Sequence, residues 1–191
     1  MAHTTLNRAT LRSGYHPTME RHNKKIIFNT LYDMDIRIGH GFDVHALADG
    51  LRLVICGVEI EHTKGCVAHS DGDVAIHAIC DSLLGALALG DIGKLFPDTD
   101  PQYKGIDSCK LLKHVVDIVT GKGYTISNID CTIAMQRPKL RPHIDTMRER
   151  LSEVIGISVD RISVKATTTE RLGFEGREEG VSATAVTLIY K

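Results

Sequence analysis

The sequence predicts an α/β domain of the α+β type, a mixed β-sheet with helices packed on one face. Three observations carry that prediction. From residue 36 the apolar residues switch back and forth between a period of two and a period of about 3.6. Five segments rich in β-branched residues are bounded by Gly, Pro or Asp, and three longer apolar-periodic segments each stop at a glycine.

Taken in order, residues 36–40 open the domain as a strand and residues 51–61 read as a second. Residues 73–89 form an unusually apolar helix that ends at Gly90, and residues 108–120 a second helix ending at Gly121. Residues 124–135 alternate as a strand. Residues 142–155 begin with Pro142 and end at Gly156, as a helix does. Residues 161–166 and 181–190 close the chain as strands.

Residues 1–33 differ from the rest of the chain: they are polar, richer in Arg, Lys and His than in acids, and lack a sustained apolar period. They read as a flexible N-terminal extension, with residues 34–191 as a single catalytic domain. Met34 leads directly into the first strand, so the extension reads as a misassigned start, an expression leader or a targeting segment. Its Arg and Ser/Thr content suits a transit peptide, whereas Glu20 and its short length do not.

The 191 residues, 42% of them hydrophobic, suffice for one core of ordinary size. The 23 basic and 24 acidic side chains are scattered, so no basic face points to nucleic acid, and any anionic ligand must be held locally. The most apolar run, residues 82–89, is far short of the roughly 20 residues of a membrane helix. Five cysteines without a Cys-x-x-Cys pair read as reduced structural thiols of an intracellular protein.

Several short segments carry chemistry. Asp43-Val44-His45 places two ligand types on one face of an extended chain, although a lone Asp-x-His is equally at home in a solvated turn. His77 interrupts an apolar helix, with Asp73 and Asp81 one turn to either side, so Asp81 is a candidate partner for the outer nitrogen of a metal-bound His77. Asp43, His45 and His77 together would leave a fourth position open, as catalytic zinc requires; a core histidine satisfied by an aspartate is the alternative. Ser70 and Asp71 are candidate caps for the following helix, whose N-terminus also favours phosphate, with His69 beside it. Residues 90–100 form a glycine-punctuated acidic loop in which Asp91 could accept from ribose hydroxyls. Thr167, Thr168, Thr169 and Glu170 offer hydroxyls and a carboxylate suited to phosphate with Mg²⁺ or Mn²⁺.

In order along the chain, Arg37-Ile-Gly-His-Gly-Phe-Asp-Val-His45, Ala68-His-Ser-Asp-Gly-Asp73, Leu89-Gly-Asp-Ile-Gly-Lys-Leu-Phe-Pro-Asp-Thr-Asp100 and Val164-Lys-Ala-Thr-Thr-Thr-Glu170 resemble the 2-C-methyl-D-erythritol 2,4-cyclodiphosphate synthase family. The resemblance runs from about residue 35 to 190 nearly without gaps. It implies a homotrimer with active sites between subunits. Each would convert 4-diphosphocytidyl-2-C-methyl-D-erythritol 2-phosphate to the 2,4-cyclodiphosphate and CMP by metal-assisted intramolecular phosphoryl transfer, a step of non-mevalonate isoprenoid synthesis. By the family pattern Asp43, His45 and His77 hold Zn²⁺, and Glu170 helps hold Mg²⁺ or Mn²⁺ against the diphosphate. His69 and Thr168 stabilise the transition state. Substrate contacts carry over to Asp43, Val44, His45, His69, Ser70, Asp91, Ile92, Gly93, Phe96, Pro97, Asp98, Thr99 and Asp100. They carry over also to Met135, Gln136, Arg137, Pro138, Lys139, Leu140 and Arg141 around cytosine and its phosphate, to Thr167, Thr168, Thr169 and Glu170, and to Phe174 and Arg177. One departure is that Met135 and Arg137 replace small residues of the family pattern.

Two other functions use the same groups: a metal-dependent phosphohydrolase, which would release inorganic phosphate, and a non-catalytic cytidine-nucleotide-binding protein. The expected location is the bacterial cytoplasm, with a plastid-type organelle as the alternative, and neither a membrane nor a nucleic-acid partner is expected.

Overall fold

A computed structural model describes residues 34–97 and 99–191. The expected extension, residues 1–33, lies outside the described residues. Residues Asp35–Lys191 form one compact unit. Its elements are β1 (Ile36–Asp49), β2 (Leu53–Ile55), β3 (Val58–Ile60), β4 (Lys64–Cys66), α1 (Val74–Ala86), α2 (Ile92–Leu95), α3 (Ser108–Gly121), β5 (Thr125–Ala134), α4 (Ile144–Ile155), β6 (Ile162–Thr167), α5 (Gly173–Gly176) and β7 (Gly180–Tyr190). Five strands pair in the order β4-β1-β7-β5-β6, with β5 and β6 parallel and the other pairs antiparallel, so the expected mixed sheet is present.

The first strand is much longer than its sequence pattern suggests. It continues past His40 because β7 pairs with it as far as Ala46 and β4 takes over from Leu47 to Asp49. Asp43 and His45 therefore lie within a strand rather than after one. The expected single strand at 51–61 is instead the hairpin β2–β3, turned at Cys56 and Gly57, both with positive φ. Its cause is distant in sequence: the buried Asp73 carboxylate accepts hydrogen bonds from the N–H groups of both turn residues, at 2.9 and 2.6 Å.

Helix α1 is buried on nearly every side, against the sheet and against α3. Burying Ile76, Ile79, Leu83 and Leu84 contributes about 1.5–3 kcal/mol each. The helix stops three residues before the expected end, where Ala88 turns left-handed and Leu89 N–H bonds back to the Leu84 carbonyl. It can lie this close to β1 because Gly39 and Gly41 have no side chain. A Cβ at Gly41 would fall 2.0 Å from the Ala78 carbonyl oxygen, and one at Gly39 1.7 Å from that of Ser82. Both obstacles are backbone, which cannot swing aside. Gly41→Ala should therefore cost about 3 kcal/mol or more, read as a lowered denaturant midpoint; a midpoint equal to wild type would show that α1 is free to shift.

On the opposite face of the sheet α5 covers one end, where Phe174 lies over Gly180 and Glu175 Oε1 accepts from Ser182 Oγ at 2.8 Å, and much of the rest of the β1 side is left open among the described residues. The open part exposes Ile36, Ile38, Phe42 and Val44 from β1, with Val186 and Leu188 beside them on β7. Ile38 is 70% exposed, which is unusual for an isoleucine in the middle of a sheet.

Candidate active site and metal centre

Asp43 and His45 are two residues apart on β1, so both point to the face that α1 covers, and His77 meets them from one turn inside α1. Asp43 Oδ2 lies 3.0 Å from His77 Nδ1 and 3.4 Å from His45 Nε2, and the two ring nitrogens are 3.1 Å apart. Tetrahedral zinc with bonds of about 2.0 Å holds its ligand atoms about 3.3 Å apart, so these three donors already trace one face of such a tetrahedron. His45 donates its Nδ1 hydrogen to the Val44 carbonyl at 2.9 Å, which turns the Nε2 lone pair toward the cluster. An imidazole pair with one carboxylate suits zinc better than magnesium.

Burial is the strongest single influence on all three groups. It pulls His45 below the usual imidazole value, and the nearby Asp43 charge does not restore it. It also pushes Asp43 up and His77 down, but their mutual hydrogen bond and attraction prevail. Asp43 ends below the usual carboxylate value and His77 above the usual imidazole value. A divalent cation must displace the His77 proton, so metal affinity should weaken as pH falls.

A cavity of about 410 Å³ opens against this cluster. His45, His69, Ser70, His77, Ile92, Gly93, Phe96 and Pro97 line it, together with Ala68, Tyr103, Ile106 and Leu111. A second cavity of about 590 Å³ is lined by Met135, Pro138, Lys139, Leu140, Arg141, Thr167 and Thr168, with Ile144, Asp145, Val164, Lys165 and Ala166. The two share no lining residue. Glu170 stands beside the second, where Thr168 Oγ1 donates to its Oε1 at 2.7 Å. Glu170 and Arg171 both hold a left-handed backbone, at φ 53° and 66°, a local strain of the kind kept at functional sites.

The profile of the YgbB family matches residues 36–190. The chain belongs to the YgbB family. A curated relative named 2-C-methyl-D-erythritol 2,4-cyclodiphosphate synthase, from Ectopseudomonas mendocina (strain ymp), is 58% identical over 156 residues, which are 82% of this chain and 99% of that one. Among solved structures, the CDP-bound form of a 2C-methyl-D-erythritol-2,4-cyclodiphosphate synthase matches with TM-score 0.75 at 40% identity, covering 80% of this chain and 99% of that chain. The bifunctional IspDF from Campylobacter jejuni matches with TM-score 0.80 at 42% identity, covering 83% of this chain but only 43% of its own. The resemblance read from the sequence motifs is thus supported along the whole domain.

Of the other residues expected from the sequence resemblance, Val44 points its side chain to the outer face of the sheet, away from the Asp43–His45–His77 cluster. Asp91 caps α2 by accepting from Lys94 N–H at 3.1 Å. The Asp100 carboxylate binds Gln102, while its carbonyl oxygen lies 3.4 Å from His69 Nε2. Thr99 is exposed and Asp98 lies outside the described residues. Gln136 accepts from the Arg171 N–H, Arg137 pairs with Glu178 at 3.5 Å, and Thr169 donates to the Leu172 carbonyl. Phe174 sits on α5, and Arg177 pairs with Glu179.

Two sequence-level assignments need correction. Asp81 does not back His77; its carboxylate accepts from Ile92 N–H at 2.7 Å. Helical side chains lean toward the N-terminus, so His77 reaches back to Ser70 and Asp43 rather than forward to residue 81. Nor do Ser70 and Asp71 cap α1. Asp73 does, accepting from Ile76 N–H at 3.0 Å, and burial pushes its carboxyl up to about 6 against three favourable N–H contacts. Ser108 was missed altogether: its Oγ lies 3.0 Å from His77 Nε2. Tyr103, Ile106 and Leu111 carry no motif either. The cysteines are all free and buried; burial pushes Cys66 and Cys131 up to about 12, so neither is a ready nucleophile.

Proposed function

We propose that this chain converts 4-diphosphocytidyl-2-C-methyl-D-erythritol 2-phosphate to 2-C-methyl-D-erythritol 2,4-cyclodiphosphate and CMP. The observation that carries the reading is the Asp43–His45–His77 donor triangle opening onto the first cavity, in a chain 58% identical to a named synthase over nearly that protein's full length. A 2-phosphate oxygen attacks the β-phosphorus, and the bond to the bridging oxygen breaks so that CMP leaves with the electron pair. The nucleophile is already anionic, so no general base is required. Bound zinc at Asp43, His45 and His77, with Mg²⁺ or Mn²⁺ held by Glu170 and the diphosphate, would withdraw charge from the phosphoryl oxygens. His69 donates a hydrogen bond to charge building up in the transition state, and Thr168, whose hydroxyl donates to Glu170 here, would do so once that carboxylate takes up the diphosphate's ion. The first cavity holds the diphosphate and ribose ends, with Asp91, Ile92 and Gly93 at its edge. The second, from Met135 to Arg141, receives cytosine. Carrying both reacting groups on one substrate replaces a bimolecular encounter.

The separation of the cavities supports an oligomer in which the metal half of one chain meets the base half of the next, and the proposed assembly is a homotrimer. The exposed apolar sheet face supplies surface for such contact. The proposed catalytic domain is residues 34–191 and the proposed location the bacterial cytoplasm; no helix among the described residues is long and apolar enough to cross a membrane.

Incubation with the substrate, followed by phosphorus NMR, tests the reading: cyclodiphosphate and CMP are expected. Inorganic phosphate instead would mark a hydrolase, and bound but unchanged substrate a sensor. Because the family match begins at residue 36, deleting residues 1–33 should leave turnover within about twofold of wild type in a steady-state assay, and a larger fall would give the extension a role.

A further inference from the structure

We propose that Ser108 and Asp71 are positioning residues that fix the tautomer of His77 and so aim its Nδ1 lone pair at the metal. The inference rests on the proposed metal site and deepens it. Ser108 is fully buried at the start of α3, and its Oγ lies 3.0 Å from His77 Nε2. The same hydroxyl donates to Asp71 Oδ1 at 2.5 Å, while Ser108 N–H donates to Asp71 Oδ2 at 3.0 Å. A carboxylate offers only acceptors, so the single hydroxyl proton of Ser108 is committed to Asp71. Toward His77 the hydroxyl then presents a lone pair, and that contact is a hydrogen bond only if Nε2 carries the imidazole proton. Ser70 Oγ, 3.1 Å from the same nitrogen, is satisfied by that arrangement too. The opposite tautomer would set the Ser108 and Nε2 lone pairs against each other in a buried site. With a proton held on Nε2, the proton that a cation displaces is the one Nδ1 shares with Asp43, and Nδ1 then faces the ion beside Asp43 and His45.

The pair also has a mechanical role. Asp71 N–H donates to the Ile106 carbonyl and Gly105 N–H to that of His69, so the loop before α1 and the loop before α3 close on each other around the His77 ring. Asp71 and Ser108 therefore hold both the proton and the orientation of the ring.

Asp71→Asn and Ser108→Ala separate this from a merely structural role. Asparagine can still accept from Ser108 N–H, but its amide group donates to Ser108 Oγ, so the hydroxyl proton turns toward His77 and favours the wrong tautomer. Zinc affinity in the full chain, measured by chelator competition, should fall about 10–100-fold in both variants, and Ser108→Thr, which keeps the hydroxyl, should retain it. Nitrogen-15 NMR of the histidine rings in the zinc-loaded protein should show a hydrogen-bonded, slowly exchanging Nε2–H at His77 in wild type, and one that exchanges markedly faster in Ser108→Ala and Asp71→Asn. Affinities in both variants within about threefold of wild type, or a wild-type Nε2–H that exchanges as fast as in the variants, would overturn the proposal. Wild type that takes up no zinc would instead remove the metal reading, and this proposal with it. Should Ser108→Ala fail to fold, the near-isosteric Asp71→Asn carries the test.

Discussion

His77→Ala should strip the isolated protein of zinc and lower turnover by at least about a thousandfold, because the ion loses one of three protein donors and the reacting diphosphate loses several kcal/mol of charge stabilisation. The remaining pair, Asp43 and His45, lies on one strand and spans only one edge of the donor triangle. Two donors on a partly exposed edge bind zinc weakly. The fold should persist, since alanine is the best helix former and α1 is held by its apolar neighbours. Elemental analysis, circular dichroism and steady-state rates together check this: a folded His77→Ala protein with full zinc would show that the triangle is not the metal site.

The fold was legible where local sequence decides it. Each long helix was found, with its final turn misplaced only where Ala88 rather than Gly90 made the left-handed stop. It was illegible where pairing at a distance decides. Nothing between residues 40 and 49 announces a strand; β7, more than a hundred residues later, imposes it. The hairpin turn at Cys56 is likewise made by Asp73. The candidate site divides the same way. Asp43, His45 and His77 could be named because ligand types at strand and helix spacing are a local signal. Ser108, 37 residues from its partner Asp71, has no spacing to betray it. Asp81 misled because helical period shows which residues share a face but not which way along the helix a side chain leans.

Glu170→Gln should be as damaging as His77→Ala, yet leave zinc content normal. The substitution keeps size and hydrogen-bonding capacity but removes the charge that would hold an ion shared with the diphosphate, so the protein-held site should be untouched while turnover collapses. The two inactive proteins then offer a decisive experiment. In the proposed trimer each active site joins the metal cluster of one chain to the Glu170 loop of a neighbour, as the two cavities with no common lining residue suggest. Unfolding the two variants together in equal amounts and refolding them should assemble some sites from an intact metal half, contributed by a Glu170→Gln chain, and an intact Glu170 half, contributed by a His77→Ala chain. Random assembly gives such a site on about one occasion in four, so the mixture should recover about a quarter of the wild-type rate from two parents that have almost none. If instead every site were built within one chain, each chain would carry its own defect into any oligomer and the mixture would stay as inactive as its parents. Recovery should also require assembly, because the apolar row of Ile38, Phe42 and Val44 stands exposed among the described residues. Charged substitution at Phe42, on the sheet face remote from the donor triangle, should therefore abolish the recovered activity and shift the sedimenting species to monomer.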